Sequence, residues 1–212
     1  MTGQSRRRIW DISQPLRPAL PVWPGDTAFQ HACTWRMEEG SPVNVSALTL
    51  STHSGAHADA PLHYEPGAPD IASVDLEPYL GECLVVDARA AGALIEVGDL
   101  PHITSADRVL FRTFERFPRD TWDADTTAIA PETIEWLAVQ GVKLVGIDTP
   151  SIDPQTSTEM LAHKAVLKHD LRILEGLVLD DVPEGRYELI ALPLPFVNAD
   201  ASPVRAVLRE LA

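Results

Sequence analysis

The segment His53-Ser54-Gly55-Ala56-His57-Ala58-Asp59-Ala60-Pro61-Leu62-His63 constrains this chain more than any other. It gathers three of the seven histidines and one aspartate into a short stretch. Imidazole nitrogen and carboxylate oxygen are the donors that zinc and similar divalent ions prefer. Two donors on one tetrahedral zinc lie about 3.4 Å apart, given bonds of about 2.1 Å. A straight strand from His53 to Asp59 would spread its ends over about 20 Å. A helix would bring His53 to His57 but place Asp59 about 200° around from His57. Neither regular element serves all three. A strand ending in a tight bend does, and Gly55 stands between the histidines, where a bend needs unrestricted backbone angles. Pro61 fixes the exit and holds Ala60 extended. The expected arrangement is a metal loop at the carboxyl end of a strand that begins near Val43.

A lone histidine reads as an ordinary hydrogen-bonded side chain. Three with an interleaved aspartate and a hinge glycine read as metal ligands. A structural zinc site is usually closed by four protein ligands, often cysteines. Cys33 and Cys83 stand in no CxxC spacing and are too few for such a site or for a disulfide framework. Two histidines and one carboxylate leave room for water, which points to catalysis. Distant donors are then needed. Glu175 lies in the apolar run Ile173-Leu174-Glu175-Gly176-Leu177-Val178, where a carboxylate is costly unless paired or metal-bound. His163 lies on a candidate helix, where an exposed histidine is an equal reading. His31, His102 and His169 have no supporting context and read as solvated.

The rest of the chain sets the class. The 212 residues suffice for one full core. The net charge of −14 repels phosphate backbones and anionic lipid, so neither nucleic acid nor a membrane surface is an expected partner. No apolar run approaches the roughly 20 residues that span a bilayer. The opening MTGQSRRRIWDISQP lacks an apolar stretch after its basic cluster and does not read as a secretory signal. The expected location is a reducing cytoplasm. The 18 prolines exceed the usual share of about 5% and disfavour a long-helix bundle.

Residues 1–40, with Trp10, Trp23 and Trp35 among four prolines, read as an irregular wrapping segment. The alternation from Val43 slips phase near Ala47, where a bulge fits. Cys83–Val86, Val109–Phe111, Leu144–Ile147, Leu177–Leu179 and Leu189–Leu192 read as buried strands. Helices are expected from Pro131 to Gly141, from Thr158 to about Lys168, and from Ser202-Pro203 onward, where a capping residue precedes proline. Strands outnumber helices. The expected fold is a single α/β domain over residues 1–212, with a central mixed sheet flanked by a few helices.

These residues resemble the cyclase-like family of metal hydrolases, marked by His-x-Gly-Thr-His-x-Asp-x-Pro-x-His. Here Ala56 replaces the threonine, a position that is not a ligand. The resemblance extends over IWDISQPLRPALPVWPGD (9–26), GIDTPSIDPQTS (146–157), LEGLVLDDVPEGRYELIALPL (174–194) and ASPVRAVLRE (201–210). It implies a swivelling β/α/β fold, a homodimer and two zinc ions per subunit. His53, His57 and Asp59 would hold the first ion. Asp59 would bridge to a second held by His163, and Glu175 would contact both. His63 would transfer the proton rather than ligate, and Trp23 would line the substrate pocket. The implied reaction is hydrolysis of N-formyl-L-kynurenine to L-kynurenine and formate in tryptophan breakdown, by metal-activated water. A related hydrolase of cyclic amides such as isatin, and a metal-stabilised binding protein without turnover, are the alternatives. Asp148 and Asp153 read equally as buttresses of the site or as strand ends.

Overall fold

The computed structural model describes residues 7–100 and 106–211; His102 and the first six residues of the basic opening lie outside them. In chain order the described strands are β1 (Ile9–Asp11), β2 (Gln30–Trp35), β3 (Val45–Thr49), β4 (His57–Asp59), β5 (Leu80–Asp87), β6 (Leu94–Ile95) and β7 (Arg108–Arg112). They continue as β8 (Ala128–Ile129), β9 (Leu144–Ile147), β10 (Arg172–Glu175), β11 (Gly185–Ile190), β12 (Ala201–Pro203) and β13 (Val207–Arg209). The α-helices are α1 (Pro131–Val139) and α2 (Leu161–Lys168). Nine strands form one mixed sheet in the order β1-β13-β11-β5-β7-β9-β10-β4-β12. Its centre, β5-β7-β9-β10, is parallel, and both flanks are antiparallel. The expected α/β class with a mixed sheet and few helices is what the chain adopts.

The middles of the central strands are apolar because both faces are covered, and their charged residues fall toward the strand ends, as with Arg108 and Arg112 of β7 and Arg172 and Glu175 of β10. Along β5 and β7 successive residues alternate between two cores. Cys83, Val85 and Leu110 face one, with Ile12, Tyr79 and Leu208. Val86, Val109 and Phe111 face the other, with Ile134 and Leu137 of α1 and Ala162 and Val166 of α2. Helix α1 opens with Pro131 at its first position and stops before Gly141, which takes a φ of +89°. Helix α2 starts at Leu161, three residues later than expected. Asp153 accepts the N–H groups of Ala162 at 3.1 Å and His163 at 3.0 Å, so an acid satisfies the helix's first turn.

Three expectations are corrected. Leu177–Leu179 is not a strand. The strand in that region is β10, and Gly176, with a φ of +63°, ends it, so Glu175 stands at the carboxyl end of the strand. No helix follows Ser202. Residues 201–203 instead pair with β4, and the Ser202 hydroxyl accepts the N–H of Leu194 rather than capping a helix. Pro203 is tolerated because β12 is an edge strand, where a missing donor costs no ladder bond. The bulge lies on β2, between Cys33 and Trp35, and not on the facing strand. His31 is exposed as expected, whereas His169 is half-buried.

Gly176 also marks a close approach. A Cβ there would lie 2.5 Å from the carbonyl oxygen of Gly55, a backbone atom that cannot swing aside. Gly176→Ala should therefore lower the unfolding free energy by about 2 kcal/mol or more, from strain plus clash. Urea denaturation checks this.

Candidate metal centre

Sheet register builds the centre. His57 and Asp59 are two apart on β4 and so project from the same face. Glu175 of β10 is the direct antiparallel partner of His57, and Ala201 of β12 that of Asp59. His163 comes from α2, which packs over the same side of the sheet as Ile173. His53 precedes the strand in a turn that reverses at Gly55, where φ is +68°. The bend falls at the expected glycine. The strand, however, follows the bend, so His57 and Asp59 are buried in the sheet rather than carried on a loop.

The donor atoms converge. His53 Nδ1 lies 3.2 Å and His57 Nε2 3.5 Å from Asp59 Oδ1. His163 Nε2 lies 3.5 Å from Asp59 Oδ2 and 3.7 Å from Glu175 Oε1. His57 Nε2 lies 3.3 Å from Glu175 Oε2. The structure thus brings together all five residues expected to hold metal. Four of their atoms are buried without a hydrogen-bond partner: His57 Nε2, both Asp59 oxygens and His163 Nε2. Such atoms rarely stay unsatisfied in a native interior. A divalent cation is the group that would satisfy imidazole nitrogens and carboxylate oxygens at once, so the donor set fits one.

The opposite nitrogens are tied back. His57 Nδ1 donates to the Gly55 carbonyl at 2.9 Å, His163 Nδ1 to Asp153 Oδ2 at 2.7 Å, and His53 Nε2 to Asp200 Oδ2 at 3.0 Å. This leaves one nitrogen of each ring free to ligate and fixes its direction. Asp153 therefore buttresses the site. Asp148 does not reach it; Asp148 ends β9 by accepting the N–H groups of Thr113 and Phe114 at 2.9 Å and 3.0 Å, and burial pushes its carboxyl up to about 6.

Charges couple the donors. Burial pulls the His163 imidazole down, but the hydrogen bond to Asp153 and the nearby negative charge of Asp59 outweigh it and hold the ring up at about 10. His53 reaches about 10 in the same way, through Asp200 and Asp59. Burial raises the Asp59 carboxyl, and His163 and His53 more than reverse this, holding it below its ordinary range. Asp200 is held low chiefly by His53.

One side of the centre opens into a cavity of about 350 Å³. Trp23, Trp122, Phe114 and Phe117 line it, and His53, His57, His63 and Glu175 form its polar end. Trp23 and Trp122 meet edge to face at 5.5 Å, and Trp122 Nε1 donates to Gln155 Oε1 at 2.8 Å. Trp23 is 36% exposed on this wall rather than packed in the core. The His63 side chain is 31% exposed, against 1% for His163, and its ring stands 4.3 Å from that of His53. Sequence reasoning missed Asp200 and Trp122. The aromatic residues of FERFPRDTW at 114–122, in a polar run, were a legible signal for the latter; Asp200 has none, since it lies 137 residues from His63.

The model of the putative cyclase family matches residues 10–154. The chain belongs to this family. Among its relatives, a kynurenine formamidase of Erythrobacter litoralis is 67% identical over 208 residues, covering 98% of this chain and 96% of that one. That of Maricaulis maris is 58% identical over 206 residues, covering 96% and 99%. A solved structure described as a potential metal-dependent hydrolase with cyclase activity matches with a TM-score of 0.84 at 30% identity, over 98% of this chain and 100% of that one. Isatin hydrolase A of Labrenzia aggregata, at 22% identity and a TM-score of 0.83 over 97% and 94% of the two chains, shares the cyclase-family fold.

Ligation needs neutral imidazoles, so cation uptake must displace protons that His53 and His163 hold up to about 10. Zinc binding at pH 7 should release about two protons, and apparent affinity should fall as pH is lowered. Calorimetry in buffers of different ionisation enthalpy reads both.

Proposed function

We propose that this chain is an arylformamidase that hydrolyses N-formyl-L-kynurenine to L-kynurenine and formate, using two divalent cations, taken as zinc. The observation that carries the reading is the set of unpartnered buried donors at the floor of an aromatic-walled cavity. Relatives named kynurenine formamidase, 53–67% identical, support the substrate. His53, His57 and Asp59 would hold one cation, Asp59 and His163 the other, and Glu175 would contact both. When bound, the cations would supply Lewis acidity toward the formyl carbonyl and lower the pKa of water from 15.7 to about 7.

The chain's own residues do the rest. Trp23 and Trp122 offer apolar faces to the aryl ring, and such contacts are worth about 0.5–1.5 kcal/mol beyond area burial. Water adds to the formyl carbon, the C–N bond breaks, and the departing aryl amine needs a proton at its nitrogen. His63 faces the cavity at its polar end and is the group placed to hand that proton over. The reading includes a cytoplasmic homodimer, which light scattering tests for its oligomeric part.

Purified protein should release formate from N-formyl-L-kynurenine, and chelation should abolish this. Isatin in the same panel should be a poor substrate; preferential ring opening of isatin would move the reading to cyclic amides. His63→Ala should keep both cations and lose about 100-fold or more in kcat, the usual scale of acid–base catalysis. Glu175→Gln should lower cation content toward one per chain, and unchanged content of two would remove its bridging role. Metal analysis beside the kinetics separates these outcomes.

A further inference from the structure

Asp200 stands between the metal centre and the proton-transfer residue. Its Oδ2 accepts from His53 Nε2 at 3.0 Å and from His63 Nδ1 at 3.4 Å, and its Oδ1 accepts the Thr52 hydroxyl at 2.9 Å. Its backbone carbonyl takes the N–H of Ala60 at 2.8 Å. Both oxygens of the carboxylate are thus committed to the segment that carries the histidines. The pairing of β12 with β4 brings Asp200 there, because its neighbour Ala201 lies opposite Asp59.

His63 is otherwise lightly held. Its side chain makes no other hydrogen bond among the described residues. Beyond Asp200, it meets the rings of His53, Tyr64 and His163 at 4.3, 6.3 and 5.8 Å. An imidazole that transfers a proton must present one nitrogen in one tautomer, and the partner of its other nitrogen decides which. An orienting carboxylate can control a large share of such a residue's activity without touching the substrate.

We propose that Asp200 is a positioning residue: its carboxylate holds the Nδ1–H of His63 and so turns the opposite ring nitrogen toward the scissile amide. Because the same oxygen holds His53, the proton-transfer ring and a metal-holding ring share one anchor. The inference rests on the proton-transfer role proposed for His63, and it adds a residue that acts through that ring.

The test is a double-mutant cycle on zinc-loaded protein with N-formyl-L-kynurenine at saturating zinc. Asp200→Ala should lower kcat roughly 10- to 100-fold, the range for losing a group that orients a functional histidine. KM should stay within about threefold, because substrate binding is not what is lost. In the His63→Ala background, adding Asp200→Ala should cost less than about twofold, since the residue it acts through is gone. Equal losses in both backgrounds would overturn the proposal, leaving Asp200 to act through His53 or the fold. Asp200→Asn, which keeps the volume, should show the same dependence on His63 with a smaller loss.

Long-range ¹H–¹⁵N spectra give a readout independent of turnover. His63 should be a single Nδ1–H tautomer in the zinc-loaded protein and a mixture in Asp200→Ala. A mixture before substitution, or an unchanged spectrum after it, would overturn the proposal. Full turnover by His63→Ala would instead remove the proton-transfer role and leave the spectra as they are, so the two failures are distinguishable.

Discussion

Asp59 is the constraint on which the rest of the structure depends. Its side chain is wholly buried, and both oxygens lack a hydrogen-bond partner. An isolated buried carboxylate is costly enough to reverse the folding of a small domain. The chain meets that cost by surrounding Asp59 with three imidazoles, two of them held up by further acids. Asp153 and Asp200 are therefore part of the same balance, since each sustains the charge of a ring that faces Asp59. A cation can take over this role only because the rings already point their free nitrogens inward.

The fold delivers these groups with little regular structure to spare. Strand β4 is three residues long, yet it lies between β10 and β12 and carries two of the donors. Its register against β10 sets Glu175 opposite His57, and its register against β12 brings Asp200 beside the turn that follows. Gly176 lets its backbone approach that of Gly55, where a side chain would force the two apart. Asp59 and His163 are sealed between the sheet and the helix layer, while His53, His57 and Glu175 share the polar end of the cavity with His63, facing Trp23 and Trp122.

Much of this was legible in the residues. The spacing from His53 to His63 required a bend, and Gly55 supplies it. The apolar runs at Cys83, Val109 and Leu144 have the composition of buried strands, and they are central ones because helices and loops cover both faces. Glu175 stood out because an acid in an apolar run needs a partner. The errors share a cause. Ser202-Pro203 has the local signature of a helix start, but pairing with β4 satisfies the same backbone groups and wins. Leu177–Leu179 has strand composition, but Gly176 turns the chain out of the sheet.

Local sequence determined the chemistry: which side chains could ligate, where the chain must bend, and which runs must be buried. Those follow from donor type, backbone freedom and hydrophobicity, all properties of neighbours in the chain. Tertiary structure alone decided that Asp153 serves the centre while Asp148 does not, that Trp122 faces Trp23, and that Asp200 reaches His53 and His63. Each of these depends on strand register or on loop closure between residues far apart in the chain. No local pattern encodes such pairings, because they become favourable only once the whole sheet has assembled.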